Sequence, residues 1–101
     1  MALLRIARPH ARAAAARGFH ALADQTRLRI VDLLRDGERC VCDLQEWLGV
    51  SQSALSFHLK TMKEAGLLTD RRQGRWVYYR LNPAGLAALE QALSEYINHS
   101  R

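Results

Sequence analysis

The sequence predicts a mainly α-helical domain that carries a single β-hairpin. Three observations predict it. Apolar residues recur at three- and four-residue intervals through most of the chain, Gly49 and Ser51 separate two of these helical stretches by a very short break, and one pair of alternating runs surrounds Gly74. With 101 residues, 49% of them hydrophobic, the chain can bury one compact core and little of a second.

The amino end, MALLRIARPHARAAAARGF, has no acidic residue before Asp24. Its Arg- and Ala-rich composition is shared with organellar transit peptides. Pro9 interrupts any single amphipathic helix there and no Ser-rich stretch follows, so residues 1–10 are read as a basic tail and residues 11–101 as the folded domain. About Ala11 to Leu22 form a small-residue helix. Asp24 offers an N-cap to the next one, because its carboxylate can accept the free amides of a first turn. Leu28, Ile30, Val31, Leu33 and Leu34 supply that helix's buried face, and Gly37 ends it. A short helix follows Cys40, with Val41, Leu44 and Leu48 on one stripe. Gly49 permits a sharp turn, and Ser51 caps a helix that runs to about Ala65 with Leu55, Leu59 and Met62 facing inward.

The other side of this helix bears on function. At about 100° per residue, Ser53, Phe57 and Lys60 lie opposite the apolar stripe, flanked by Gln52, Ser56 and Lys63. Such a face of amides, hydroxyls and amines can read base edges and hold phosphates, which carboxylates could not. His58 stands beside the stripe, placed to bond backbone or phosphate. Next, GLLTDRRQGRWVYYRLN holds two alternating runs around RQG, with Val77, Tyr79 and Leu81 on one face and Trp76, Tyr78 and Arg80 on the other. Arg71, Arg72 and Arg75 crowd the tip. Helix, tight turn, helix and basic hairpin is the layout of a winged helix-turn-helix, whose second helix enters the major groove while the wing follows the backbone.

After Pro83, which suits a first helical turn, Leu86, Leu89, Leu93, Tyr96 and Ile97 mark a last amphipathic helix. Its stripe is long for a core that the other helices already close. It is therefore read, with the alanine-rich first helix, as the interface of a homodimer.

Charge supports a polyanionic partner. The formal net charge is +5, and it is concentrated: Ala21 to Val50 holds four arginines against six acidic residues, whereas His58 to Arg80 holds six basic residues against two acidic ones. No apolar run approaches the roughly 18 to 20 residues of a membrane span, so no membrane partner is expected. Two cysteines without a secretory signal suggest a reducing cytoplasmic setting, where adjacent thiols serve as ligands or redox groups. An enzyme is not expected, because no cluster pairs a nucleophile with its base.

The segments FHALADQTRLRIVDLL, CVCDL, SQSALSFHLKTMKEAGLL and RRQGRWVYYRLN together resemble the ArsR/SmtB family of bacterial metal-responsive repressors, and the resemblance covers almost the whole chain. It implies a homodimeric winged helix that covers double-stranded operator DNA until an inducer releases it. The arsenic-sensing branch is similar at ELCVCDLC, whose three cysteines bind trivalent arsenic or antimony. Cys40 and Cys42 match the first two; Gln45 stands in place of the third, and Arg39 in place of an aliphatic residue. The family's other metal site, on the last helix, finds only Glu95 and His99 here, without partner ligands. His10 and His20 are isolated and read as solvent-exposed.

Thiolates suit a soft trivalent arsenic centre. On a regular helix Cys40 and Cys42 would point about 200° apart, so chelation is expected to pull the start of the third helix out of helical geometry and so disturb the reading face. Recognition helices stand roughly 34 Å apart in such dimers, which favours one arsenic per chain on two sulfurs. A hydroxide, a small thiol or an organic substituent would complete it, and a singly substituted organoarsenical is expected to suit the pair especially well. Two other readings stand beside this one. The thiols could sense oxidants through a disulfide, or the winged helix could serve only protein contacts, with Arg71 to Arg75 on an acidic partner.

Overall fold

The computed structural model describes residues 9–99. Within them run α1 (Pro9–Leu22), α2 (Gln25–Leu34), β1 (Arg39–Cys40), α3 (Val41–Leu48), α4 (Gln52–Glu64), β2 (Leu68–Gln73), β3 (Trp76–Leu81) and α5 (Pro83–His99). Helix α1 includes Pro9 and His10, which the sequence assigns to the tail; the rest of that tail, residues 1–8, lies outside the described residues.

The expected caps form. Asp24 accepts the Arg27 amide at 3.1 Å, and this bond holds the Asp24 carboxyl below its ordinary range. Ser51 accepts the Ala54 amide at 3.1 Å. Gly49 closes α3 with φ at 66°, a left-handed conformation costly for other residues. It lets α4 begin after only three intervening residues.

In the hairpin, Leu68 pairs with Leu81 and Gln73 with Trp76, which leaves Gly74 and Arg75 as a two-residue loop. Gly74 takes φ of 61° there. A third strand was not expected. Residues Arg39 and Cys40 pair antiparallel with Tyr79 and Tyr78, giving the order β1-β3-β2. Two residues are too few to show an alternating period.

The main core joins Ile30 and Leu34 of α2, Leu44 and Leu48 of α3, Leu55, Leu59 and Met62 of α4, and Leu68 of β2. Leu28 is not part of it. It is 47% exposed, and the buried neighbour is Arg27. Counted by rotation, Leu28 lies about 200° from Ile30, so only one of the two can face inward.

A second cluster joins Ala21 of α1, Leu67 and Leu89, with Leu86, Ala15 and Phe19 packed against it. Leu86 and Leu89, assigned on the sequence to a dimer interface, thus turn into their own chain. The small residues of α1 serve this intrachain contact: a Cβ at Gly18 would lie 2.6 Å from the Leu89 side chain. Further along α5, Leu93, Tyr96 and Ile97 are 50%, 64% and 61% exposed.

Candidate nucleic-acid interface and thiol site

Helix α4 presents its polar side as the rotation predicts. Gln52, Ser53, Ser56, Phe57, Lys60 and Lys63 are exposed, while Leu55, Leu59 and Met62 are buried. His58 differs from the sequence reading. Its Nδ1 lies 3.0 Å from Arg27 Nη1, and since a guanidinium can only donate, Nδ1 accepts and the ring proton resides on Nε2. Arg27 also donates through Nε to the Ala21 carbonyl at 2.8 Å and through Nη2 to the His20 carbonyl at 3.4 Å. One buried arginine therefore ties α4 to the end of α1 and the start of α2. Hydropathy could not have marked Arg27; its position on the inward side of α2 was the available signal.

Charges on the wing divide into two groups. Arg71 makes a two-pronged bond to Glu38, with both contacts at 2.8 Å, and lies 4.6 Å from the Tyr78 ring centre. That bond holds the Glu38 carboxyl below its ordinary range. Lys63 pairs with Asp70 at 3.0 Å. Among the described residues no carboxylate pairs with Arg72 or Arg75, and Arg75 lies over the exposed Trp76 ring at 5.1 Å. The outward cations at the tip are thus Arg72 and Arg75, with an aromatic ring that the sequence placed on the hairpin without a role.

Cys40 ends β1 and is the N-cap of α3, with extended backbone at φ −67° and ψ 144°, while Val41 begins the helix. Its sulfur accepts the Cys42 amide at 3.1 Å, the two Cα atoms are 5.1 Å apart, and the sulfurs are joined in a disulfide. The expected divergence of about 200° assumed both cysteines within the helix, whereas Cys40 lies at its cap. A cap residue lies outside the helical rotation, so its side chain folds over the first turn to meet Cys42.

The sulfur pair opens onto a groove of about 800 Å³. Cys40, Cys42 and Gln45 line one wall; Gln52, Ser56 and Lys60 of α4 line another; Arg75 and Trp76 of the wing line the third. Gln45 donates its amide Nε2 to the Val50 carbonyl, and its Oε1 is buried without a hydrogen-bond partner. Away from this groove, His20 is exposed and Glu95 bonds to Gln91. The side chains of His10 and His99 fall outside the described residues.

Residues 24–70 match the family model described as bacterial regulatory protein, arsR family. The arsenical resistance operon repressor of Staphylococcus aureus is 44% identical over 73 residues, which is 72% of this chain and 70% of that protein. This chain belongs to the arsR family. The arsenical resistance operon repressor of Escherichia coli K12 is 58% identical over 66 residues, 64% of this chain but 56% of that protein. The match thus spans little more than half the length of that arsR relative. The solution structure of the homodimeric winged helix-turn-helix DNA-binding domain of a possible ArsR-family regulator from Mycobacterium bovis superimposes with a TM-score of 0.72 at 32% identity, over 92% of this chain and 91% of that one. The span matched to the arsR model includes the sulfur pair and all of α4, and ends just before the three wing arginines.

Proposed function

We propose that this arsR-family chain is a metalloid-responsive repressor that binds operator DNA as a homodimer and lets go when trivalent arsenic or antimony binds Cys40 and Cys42. One observation carries the reading: the sulfur pair shares a groove with the DNA-facing residues of α4 and the wing. Gln52, Ser53 and Ser56 offer groups for base edges, and Lys60, Arg72 and Arg75 offer cations for phosphates. Phe57, exposed on the same face, can contact a thymine methyl. Leu93, Tyr96 and Ile97 of α5 supply the dimer contact, which sets two reading helices at the spacing of successive major grooves.

The sulfurs fit a trivalent metalloid. Cys40 at the cap and Cys42 in the first turn of α3 have Cα atoms 5.1 Å apart, and thiolate, formed once the disulfide is reduced, is the ligand such a soft centre prefers. Coupling to DNA follows from position. Cys40 pairs in the sheet with Tyr78 of β3, so a ligand that shifts Cys40 shifts the wing strand, and bulk added in the groove meets the DNA-facing side chains. By linkage, the ligand weakens DNA binding by the same factor as DNA weakens ligand binding.

A binding titration of reduced protein with operator DNA, with and without arsenite, tests this. Arsenite should release the DNA, and serine at both Cys40 and Cys42 should leave DNA affinity nearly unchanged while abolishing release. Release that persists in the double serine variant would sink the site. A second reading, thiol redox sensing, is favoured by the Cys40–Cys42 disulfide; release by dilute peroxide and none by arsenite would establish it instead.

A further inference from the structure

Among the described residues two buried side-chain polar atoms have no hydrogen-bond partner, Arg39 Nε and Gln45 Oε1. Arg39 lies over Trp47 at 5.8 Å and does not line the sulfur groove. Gln45 does line it, three residues beyond Cys42 on α3, a spacing that makes the two side chains neighbours on one helix face. Its amide cannot be turned over. Nε2 donates to the Val50 carbonyl, and the reverse orientation would set two carbonyl oxygens against each other. The acceptor Oε1 is therefore left buried and unpaired on a side chain that lines the groove with both cysteines. A buried acceptor in that state costs free energy that a donor on a bound ligand would recover.

We infer that Gln45 is a specificity-determining residue of the sulfur site, which accepts a hydrogen bond from a hydroxyl on the bound metalloid and so selects inorganic arsenous or antimonous acid over organically substituted arsenicals. The inference rests on the two-sulfur reading above. Arsenous acid carries three hydroxyls. Two thiols displace two of them, each thiol proton leaving with a hydroxyl as water; arsenic stays trivalent, and one hydroxyl remains to donate to Gln45. Where the pair begins as the disulfide, a cellular dithiol must first deliver two electrons and two protons. A singly substituted arsenical has only two hydroxyls. Both leave on binding the sulfurs, so it brings no donor, and the Gln45 acceptor stays unpaired. This reverses the expectation that two sulfurs alone favour the organic ligand.

The test compares two ligands on reduced, full-length protein by calorimetric titration: arsenite, and phenylarsonous acid as the substituted comparator. Gln45→Met, which keeps the length of the side chain, should weaken arsenite binding about tenfold, or about 1.4 kcal/mol, in line with the net worth of one hydrogen bond. Phenylarsonous acid should bind the variant as well as it binds the parent chain. Gln45→Cys should tighten arsenite and leave the comparator unchanged. X-ray absorption on the arsenite-loaded parent chain needs no substitution and should show two sulfurs and one oxygen around arsenic. Equal loss of both ligands in Gln45→Met, or no loss of arsenite, would overturn the role of Gln45 while leaving the two-sulfur site standing; three sulfurs around arsenic in the parent chain would overturn the two-sulfur site and the role of Gln45 together. Failure of the parent chain to bind either ligand would overturn the site itself, and this inference with it.

Discussion

Replacing Arg27 with methionine removes the guanidinium while keeping much of the apolar stem. Arg27 is 6% exposed, and its two short contacts are to the Ala21 carbonyl at 2.8 Å and His58 Nδ1 at 3.0 Å. A hydrogen bond from a charged donor contributes about 1.5 to 3 kcal/mol net. The low end applies here, because His58 is half-buried and water can replace part of what is lost, and because removing a buried charge also relieves its desolvation. The contact to the His20 carbonyl, at 3.4 Å, adds little. Two bonds at that low end amount to about 3 kcal/mol. For a domain of this size the melting temperature should fall by about 12 to 24 °C. The assay is thermal and urea unfolding followed by circular dichroism, with reduced protein at one fixed concentration, since the proposed dimer would make the midpoint concentration-dependent. Arg29→Met is the control. That side chain is exposed and makes one contact at 3.4 Å, to the Trp47 carbonyl, so its loss should stay within about 0.5 kcal/mol. Below its own melting temperature Arg27→Met should also bind operator DNA less tightly, since α4 has lost its tie at His58. Equal stability of the two variants would refute the view that Arg27 anchors the reading helix.

Arg72→Ala or Arg75→Ala should weaken operator and random DNA alike and lower the salt slope of binding by about 0.9 each; a changed sequence preference with an intact slope would show that the wing reads bases. Gln52→Ala and Ser56→Ala should instead cost about 1 to 3 kcal/mol at particular base pairs. Glu38 is held below its ordinary value of 4.5 by Arg71, so the pair's contribution to stability is present above that pH and is lost as pH falls through the lowered folded value. Urea midpoints of the parent chain and Glu38→Gln should therefore converge on acidification, and a pH-independent gap would contradict the pairing. Leu89→Ala should destabilise each chain by about 2 to 5 kcal/mol through the cavity it leaves, whereas Ile97→Ala should raise the dimer dissociation constant with little effect on the fold, as analytical ultracentrifugation beside urea unfolding can show.

Adjacent residues carry enough information for the helices, their caps and the hairpin. Asp24, Gly49 and Ser51 act on backbone groups within a few positions, and the stripe Leu55, Leu59, Met62 is set by helical rotation alone, so each was legible without knowing what packs against it. The polar side of α4 and the crowding of arginine near Gly74 follow from the same local order. What lies opposite a given face is a different matter, because it depends on residues far apart in the chain. Arg71 meets Glu38 across 33 positions and Arg27 meets His58 across 31. Periodicity gave no sign of either contact, and hydropathy placed Leu28 inside where the buried side chain is an arginine with hydrogen-bond partners. Leu89 is apolar on an apolar stripe whether it faces a second copy or its own α1; only the close approach of Gly18 decides between them. The sulfurs show the division most clearly. Helical rotation alone would set Cys40 and Cys42 apart, but β1 pairs Cys40 with Tyr78 and leaves it extended at the cap of α3. Long-range strand pairing thus brings together two side chains that the local helical period would have separated, and turns them toward the groove that α4 and the wing complete.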